Sequence, residues 1–207
     1  MKKLIKNFLM KFTPLFGLYF NKKTKGRELF LTFDDGPHPQ VTRQLLSLLK
    51  QHQAKVTFFV VGREAEKNPE LLNEIVAEGH SLDNHSYNHT RFASLPLSEQ
   101  LKEVQNTNQI IRQITDIHCK LFRAPQGFLS VKLLKKLKQM GCTTFNWSYD
   151  SLDCYDNSSN DVISVCEKYK VKGGDILLFH DDNEKVIPAL EYLLPYWQQM
   201  GFVFGTL

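Results

Sequence analysis

The sequence predicts a single α/β domain in which about seven parallel strands form a closed or nearly closed barrel. Strand-like and helix-like segments alternate along the chain, the 207 residues suit one domain with a sizeable core, and polar residues gather after the strands. Alternation implies parallel strands with right-handed crossovers, and seven units favour a barrel over an open sheet. The strand-like segments lie at 29–33, 56–61, 80–84, 120–124, 143–147, 175–180 and 202–206.

Helix signals fill the intervals between these strands. One helix starts at Pro69, because proline is favoured in the first turn of a helix, and stops before Gly79. The last helix tolerates Pro188 near its start and is expected to bend at Pro195. The four clearest helices are predicted at 68–79, 98–114, 130–141 and 184–200.

The charge distribution argues against nucleic-acid binding. The net charge is +4 at pH 7, but much of it lies before position 28, and the remaining body is close to neutral. The four cysteines show no Cys-x-x-Cys spacing, so we interpret them as buried small side chains or at most one disulfide. The early basic residues are Lys2, Lys3, Lys6, Lys11, Lys22, Lys23, Lys25 and Arg27.

Residues 1–26 form a basic and apolar segment before the predicted domain at 27–207. The apolar run 12–20 is short, is broken by Pro14 and lacks a small-x-small cleavage site, so it makes a poor signal peptide. Apolar residues at helical spacing against lysines also fit a helix on a membrane surface, or a helix packed on the barrel. These three interpretations stay open.

The most informative residues are the adjacent carboxylates Asp34 and Asp35, which stand where an apolar strand breaks into the Gly36-Pro37 turn. Side chains alternate along an extended chain, so neighbouring acids point apart and can take different roles. One can bind a cation while the other stays free as a base. An Asp-Asp-Gly-Pro run alone is more often a turn, so the interpretation depends on further groups.

Two histidines, His85 and His89, are candidates for those further groups. Four residues apart, they share one face of any helical turn, a spacing suited to holding one metal ion. With one carboxylate they make a three-ligand site with open positions, which is the catalytic arrangement. A lone pair of this kind is more often an ordinary helix face, so the positions of the other polar residues matter.

The candidate polar residues all follow the carboxyl ends of predicted strands. This is the edge on which parallel barrels build active sites, whereas structural polar residues would be scattered. The ordering therefore favours a functional site. The residues are Asp34 and Asp35 after the first strand, His85 and His89 after the third, Arg123 at the fourth, Asp150 and Asp153 after the fifth, and His180 at the sixth.

Five motifs in this order make the chain resemble the polysaccharide deacetylases of carbohydrate esterase family 4, the NodB-homology domain. The resemblance covers residues 27–207 and implies a distorted (β/α) barrel. Gln126 stands where a tyrosine is usual, and Cys154 stands where a tryptophan is usual. The motifs are Thr32-Phe33-Asp34-Asp35-Gly36-Pro37, His85-Ser86-Tyr87-Asn88-His89, Arg123-Ala124-Pro125-Gln126-Gly127, Asp150-Ser151-Leu152-Asp153-Cys154 and Leu178-Phe179-His180.

The resemblance implies a metal-dependent hydrolase that removes N-acetyl groups from an N-acetylated amino sugar or polysaccharide and releases acetate. Asp35, His85 and His89 are then the metal ligands. Zinc is the metal expected from the ligand set and the reaction class. Cobalt(II), iron(II) and nickel(II) also suit such a site.

The remaining catalytic roles also follow from the resemblance. Asp34 is the base that activates a metal-bound water, and Arg123 pairs with Asp34 and fixes its orientation. His180 is the general acid for the departing amine, and Asp153 holds its imidazolium and raises its pKa.

On the substrate side, the resemblance implies that the backbone N–H of Gln126 stabilises the oxyanion. Leu178 would line a pocket for the acetyl methyl group. Cys154 in place of tryptophan leaves that pocket wider, or filled by a neighbour such as Trp147. The expected substrate-binding set is Gln126, Pro125, Leu178, Cys154 and Trp147.

Two other functions stay open at this point. One is an amide hydrolase that acts on a small non-sugar molecule, which the altered residues Gln126 and Cys154 leave possible. The other is a glycan-binding module without catalytic activity, which would be expected to have lost Asp34 or His180. The expected partner is an N-acetylated glycan, with peripheral membrane contact through the N-terminus as a further hypothesis. The family's usual location is the cell envelope, but the weak signal leaves a cytoplasmic location open. Neither the glycan nor the oligomeric state is specified.

Overall fold

The computed structural model describes residues 13–207, and its strands form one parallel sheet that curls into a distorted barrel. All seven predicted strands are confirmed. The two-residue strands β1 and β7 are additional. The strands are β1 (Leu18–Tyr19), β2 (Glu28–Asp34), β3 (Thr57–Val60), β4 (Ser81–Asn84), β5 (Leu121–Phe122), β6 (Thr143–Phe145), β7 (Tyr149–Asp150), β8 (Ile176–His180) and β9 (Val203–Phe204).

The helices cover the outside of this sheet. The four predicted helices are confirmed as α3, α4, α5 and α7. The start of α5 is fixed by Ser130, whose hydroxyl accepts a hydrogen bond from the Leu133 N–H. The helices are α1 (Val41–Gln51), α2 (Gly62–Lys67), α3 (Pro69–Ala77), α4 (Leu97–Thr115), α5 (Val131–Gln139), α6 (Ser159–Glu167) and α7 (Val186–Gln199).

The strands are ordered β1-β6-β5-β4-β3-β2-β8-β7, and β9 pairs with the start of β2. Every ladder between these strands is parallel, so their carboxyl ends share one edge. The two ends of the sheet approach each other through an antiparallel bridge between Asn21 and Asp175. The Ser148 hydroxyl also donates to the Phe20 carbonyl.

The alternation of β2 separates the two layers of the protein. Leu29, Leu31 and Phe33 belong to the large core between the sheet and the helices. Phe30 belongs to a second, smaller cluster, and the Thr32 hydroxyl accepts a hydrogen bond from Arg123 on that same side. Asp34 is the next residue on this inner side, so it ends the strand facing the barrel interior.

The interior cluster is small and entirely built from strand residues. It contains Phe30, Phe59, Phe145 and Ile176, all buried. The guanidinium of Arg123 lies 4.3 Å from the centre of the Phe59 ring and is itself fully buried. The interior is therefore apolar at its base and polar towards the carboxyl ends of the strands.

The described part of the N-terminal segment joins the barrel. A 3-10 turn at Thr13–Phe16 packs on α5, where Lys138 Nζ donates to the Leu15 carbonyl oxygen. Strand β1 then pairs with β6. The predictions for residues 1–12 lie outside the described residues.

Two further sequence expectations concern the membrane and the cysteines. Among the described helices, none has the length and apolar character needed to cross a bilayer. The four cysteines are free, with Cys142 and Cys166 buried and Cys154 exposed, so the single disulfide allowed by the sequence is not formed.

Candidate active site

The candidate polar residues meet at the carboxyl edge of the sheet, as their order in the sequence predicts. Asp34 ends β2, His180 ends β8, and these two residues are direct neighbours in the parallel ladder between the strands. His85 and His89 follow β4, and Arg123 follows β5.

Three side chains could hold a metal ion: Asp35, His85 and His89. Asp35 Oδ1 lies 3.0 Å from His89 Nε2 and 3.4 Å from His85 Nε2, and all three ligand atoms lie within 4.8 Å of one another. Two ligands held about 2.1 Å from a tetrahedral zinc ion are separated by about 3.4 Å. The two distances from Asp35 Oδ1 are therefore close to the separation expected of two ligands on one divalent ion.

The surroundings of these atoms also suit a cation. Asp35 Oδ1 is buried and has no hydrogen-bond partner within the described chain. The Nδ1–H of His85 donates to the Arg123 carbonyl oxygen at 2.9 Å, an assignment that leaves Nε2 with a free lone pair. A backbone contact of this kind fixes the tautomer and the ring orientation of a ligating histidine.

The electrostatics of the site favour positive charge at this point. Burial would raise the pKa of Asp35, but the imidazoles of His85 and His89 hold it well below its usual range. Burial would lower the pKa of His85, but the carboxylates of Asp34 and Asp35 raise it. The pKa of His89 is lowered, by burial and by the nearby His85, which favours a neutral ring able to ligate.

The expectation that His85 and His89 share a helical turn is wrong. They stand on an irregular loop after β4, in which Ser86 and His89 have left-handed backbone conformations with φ of 68° and 51°. Glu103 of α4 holds this loop by accepting hydrogen bonds from the N–H groups of Tyr87 and Asn88. The two rings still meet, with their centres 5.0 Å apart.

Arg123 connects the interior of the barrel to Asp34. Its Nη1 donates to Asp34 Oδ1 and to Thr32 Oγ1, both at 2.7 Å. Its Nε and Nη2 donate to the carbonyl oxygens of Phe145 and Asn146. Because the guanidinium is held on three sides, it fixes one oxygen of Asp34 and leaves Asp34 Oδ2 directed toward His85 Nε2, 3.6 Å away.

His180 and Asp153 form a second buried pair. Asp153 accepts hydrogen bonds from His180 Nδ1 at 2.7 Å and from the His180 backbone N–H at 2.9 Å. Burial alone would lower the pKa of His180, but the hydrogen bond and charge of Asp153 outweigh it and raise the pKa to about 9. His180 therefore carries a proton at neutral pH in this arrangement.

A buried carboxylate, Asp181, supports the turn that carries Asp35. Its side chain accepts a hydrogen bond from the Thr42 hydroxyl at 2.6 Å and lies against Gly36. A Cβ at Gly36 would lie 2.2 Å from Asp181 Oδ1, so only glycine fits there. Burial raises the pKa of Asp181 to about 7.

The expected substrate-binding residues lie around this centre with different exposures. Pro125 and Leu178 are buried, Trp147 is half-buried, and Gln126 and Cys154 are exposed. Gln126 has a left-handed backbone with φ of 55° in the turn Pro125–Gly127. No contact in the structure tests their role with a substrate, so these five assignments stay predictions.

Sequence reasoning missed three residues that hold the site together: Thr32, Glu103 and Asp181. Thr32 stands in the first motif and faces inward two residues before Asp34, so strand alternation was a usable signal. Asp181 directly follows His180. Glu103 had no local signal, because its partners precede it by 16 and 15 residues.

Sequence comparison shows that the chain is similar to known deacetylases. A family model described as polysaccharide deacetylase matches residues 21–145. A peptidoglycan-N-acetylglucosamine deacetylase of Bacillus cereus is 34% identical over 183 residues, covering 86% of this chain and 84% of the relative. A chitooligosaccharide deacetylase of Bradyrhizobium sp. is 31% identical, covering 96% and 98%.

Solved structures show the same likeness. The crystal structure of a peptidoglycan N-acetylglucosamine deacetylase in complex with 4-naphthalen-1-yl-N-oxidanyl-benzamide superposes with a TM-score of 0.90 at 28% identity. The match covers 95% of this chain and 94% of that chain. The distorted barrel is therefore shared over nearly the whole length.

The contact between Gly36 and Asp181 gives a test of the site's packing. We expect Gly36→Ala to lower the free energy of unfolding by about 1 to 3 kcal/mol, since the new methyl group overlaps the Asp181 carboxylate. Gly26→Ala is the control, because a Cβ there meets nothing within 4 Å. Urea unfolding of both variants measures the difference, and equal midpoints would show that the close contact does not exist.

Proposed function

This chain belongs to the polysaccharide deacetylases, hydrolases that act on N-acetylated sugars, and we propose that it removes N-acetyl groups from a glycan with the help of a divalent metal ion. The observation that carries the proposal is the convergence of Asp35, His85 and His89 beside two further buried pairs. In one pair Arg123 holds the Asp34 carboxylate in place, and in the other Asp153 stabilises the protonated form of His180.

The metal would be held by Asp35 Oδ1, His85 Nε2 and His89 Nε2, whose spacing and charge suit zinc, with cobalt(II), iron(II) and nickel(II) as alternatives. When bound, a divalent ion supplies Lewis acidity, which polarises a carbonyl group and acidifies water. Three protein ligands leave open positions for the substrate, as in other catalytic sites.

Asp34 is proposed as the base. Arg123 occupies Asp34 Oδ1 and keeps the carboxylate fixed, while Oδ2 faces the metal ligands. A carboxylate held in this way can take a proton from the attacking water as its oxygen bonds to the acetamide carbonyl carbon.

His180 is proposed as the acid. When the bond between the carbonyl carbon and the amide nitrogen breaks, the departing nitrogen needs a proton, which His180 Nε2 can give. Asp153 occupies His180 Nδ1, so the ring is oriented with Nε2 towards the site. The products are acetate and a free amine on the sugar.

The substrate is proposed to be a polymer or oligomer of N-acetylated amino sugars. Two of the relatives are named for peptidoglycan and for chitooligosaccharides. A cavity of about 400 Å³, lined by Arg91, Ala93, Phe128 and the expected substrate-binding residue Gln126, suits a sugar ring of the glycan. Phe128 is 63% exposed, and an exposed aromatic face is well suited to packing on a sugar. A peptidoglycan substrate would imply action at the cell envelope.

Acetate release from a panel of acetylated glycans tests the proposed function. Chitooligosaccharides, peptidoglycan fragments and acetylated xylan are incubated with the protein and zinc or cobalt, with a chelator as the control. We expect chelator-sensitive release from one of the two N-acetylated classes. Release from no member of the panel would contradict a glycan deacetylase and favour an amide hydrolase of a small molecule.

Separate variants distinguish the base from the ligands. We expect Asp34→Asn to keep its metal and to lose turnover by about 10²-fold or more, because the amide cannot accept the proton. His85→Ala should lose both metal and turnover, because one of the three ligands is gone. Metal content by elemental analysis and acetate release measure the two effects.

The half-buried residue His52 gives the matched histidine control, since it contacts Gln198 away from the site. His52→Ala should retain both metal and turnover. Near-normal turnover in Asp34→Asn would show that another group is the base.

The pair of Asp153 and His180 predicts a pH dependence. The raised pKa, about 9, means that the acid form of His180 is present below this pH and is lost as pH rises through it. In Asp153→Asn, the hydrogen bond to a carboxylate and its charge, the two largest effects that raise the pKa of His180, are lost, so the alkaline limb of kcat/KM should move to lower pH.

Asp150→Asn is the control for this shift. Asp150 ends β7 three residues before Asp153 and accepts a hydrogen bond from the Leu152 N–H, with no hydrogen bond to His180. The alkaline limb of the kcat/KM profile of Asp150→Asn should stay close to that of the unmodified protein. If both variants moved the limb equally, Asp153 would have no specific role.

A further inference from the structure

The outer face of α5 carries positive charge that the protein does not neutralise. Lys132, Lys135 and Lys136 are exposed, and within the described chain they form no ion pair or hydrogen bond. Lys138 donates to a carbonyl oxygen, which carries no full charge. The buried side of the same helix is made of Leu133, Leu134 and Leu137.

Some surface cations on the other described helices have partners within the described chain, whereas Lys102 and Arg112 of α4 do not. Arg43 of α1 pairs with Glu70 and Glu74 of α3. Lys50 of α1 pairs with Glu78. What distinguishes α5 is that Lys132, Lys135 and Lys136 lie together on one helix face and all three are unpaired among the described residues.

The sequence explains why no partner is near. Residues 117–149 contain six basic residues, and residues 1–27 contain eight, while all 22 acidic residues of the chain lie outside these two segments. The fold brings the two segments together, because the turn Thr13–Phe16 packs on α5 and Lys138 binds the Leu15 carbonyl. Two acid-free segments thus meet on one side of the barrel.

Apolar side chains project among these charges. Leu15 is 67% exposed, Val131 is 53% exposed and Met140 is 44% exposed. A depression of about 370 Å³ lies between the turn and the helix, lined by Leu15, Phe16, Lys135, Lys138 and Gln139. The surface therefore combines cations with protruding hydrophobic groups.

We propose that this surface, termed the α5 face and defined by Leu15, Val131, Lys132, Lys135, Lys136 and Met140, binds an anionic lipid bilayer. Lysines attract the negative surface of such a bilayer, and apolar side chains gain from insertion between headgroups. A soluble polyanion would use only the charges, so the apolar groups favour a lipid surface. The inference is independent of the proposed deacetylase activity.

The test is co-sedimentation of the full chain with vesicles. Vesicles of phosphatidylglycerol and phosphatidylcholine are compared with vesicles of phosphatidylcholine alone, at low salt and at 0.5 M salt. We expect binding only to the anionic vesicles and loss of binding at high salt, because the attraction is screened. Absence of binding to anionic vesicles at low salt would overturn the proposal.

The decisive variant is the triple substitution Lys132→Gln, Lys135→Gln and Lys136→Gln. We expect its vesicle affinity to fall by about tenfold or more, since each lysine near an anionic surface contributes about fivefold. The matched control is Lys168→Gln, Lys170→Gln and Lys172→Gln, which removes the same charge from exposed positions elsewhere. Urea midpoints verify that both variants fold. An equal effect of the two triples would overturn the assignment to the α5 face.

A second variant tests the apolar part. Leu15→Ser, Val131→Ser and Met140→Ser together keep all charges and should weaken vesicle binding severalfold. Polyphosphate in solution serves as the competing polyanion. If the apolar variant bound vesicles unchanged and polyphosphate displaced the vesicles fully, the face would be a general polyanion site and the lipid assignment would be wrong.

Discussion

The buried ion pair between Arg123 and Asp34 is the interaction on which the rest of the centre depends. The Arg123 guanidinium connects β2 to the end of β6, and the Arg123 carbonyl oxygen orients the His85 ring. One residue thus fixes a candidate base through its side chain and a candidate ligand through its backbone. Loss of one partner from a buried pair costs about 3 to 5 kcal/mol. A substitution of Arg123 is therefore expected to reduce the stability of the fold and to disturb the geometry of the candidate site.

The candidate acid, His180, is likewise held by a buried charged partner, Asp153. Asp153 follows β7 and receives both nitrogen donors of His180 at the end of β8. Asp34 is thus held by Arg123 from the end of β5, three strands away in the sheet, and His180 is held by Asp153 from beyond the neighbouring β7. Asp35 Oδ1 instead lies beside two imidazoles. The division between the two acids of the first motif follows from strand geometry, since Asp34 ends β2 facing inward and Asp35 begins the turn in a left-handed conformation.

Most of the barrel was accessible from the sequence, because its long strands and helices carry strong periodicity. Strands β1 and β7 were not predicted, whereas β5 and β9, which also have two residues each, were. The candidate ligands were found by type and spacing, but the helical turn assigned to them was wrong because Ser86 and His89 adopt left-handed conformations. Asp181 and Glu103 were not predicted as site residues, because only the tertiary fold brings their hydrogen-bond partners close to them. Thr42, which donates to Asp181, lies 139 residues before it in the sequence.

Strand β2 shows what this architecture allows in evolution. Its inward residues Thr32 and Asp34 contact Arg123 in the candidate active site. Its outward residues Leu31 and Phe33 pack in the core between the sheet and the helices. Since side chains alternate with a period of two, inserting or deleting one residue would exchange the two sets and would expel Thr32 and Asp34 into an apolar layer. We therefore expect β2 to tolerate apolar substitutions on its outer side, whereas insertions should be tolerated only in the loops that flank it.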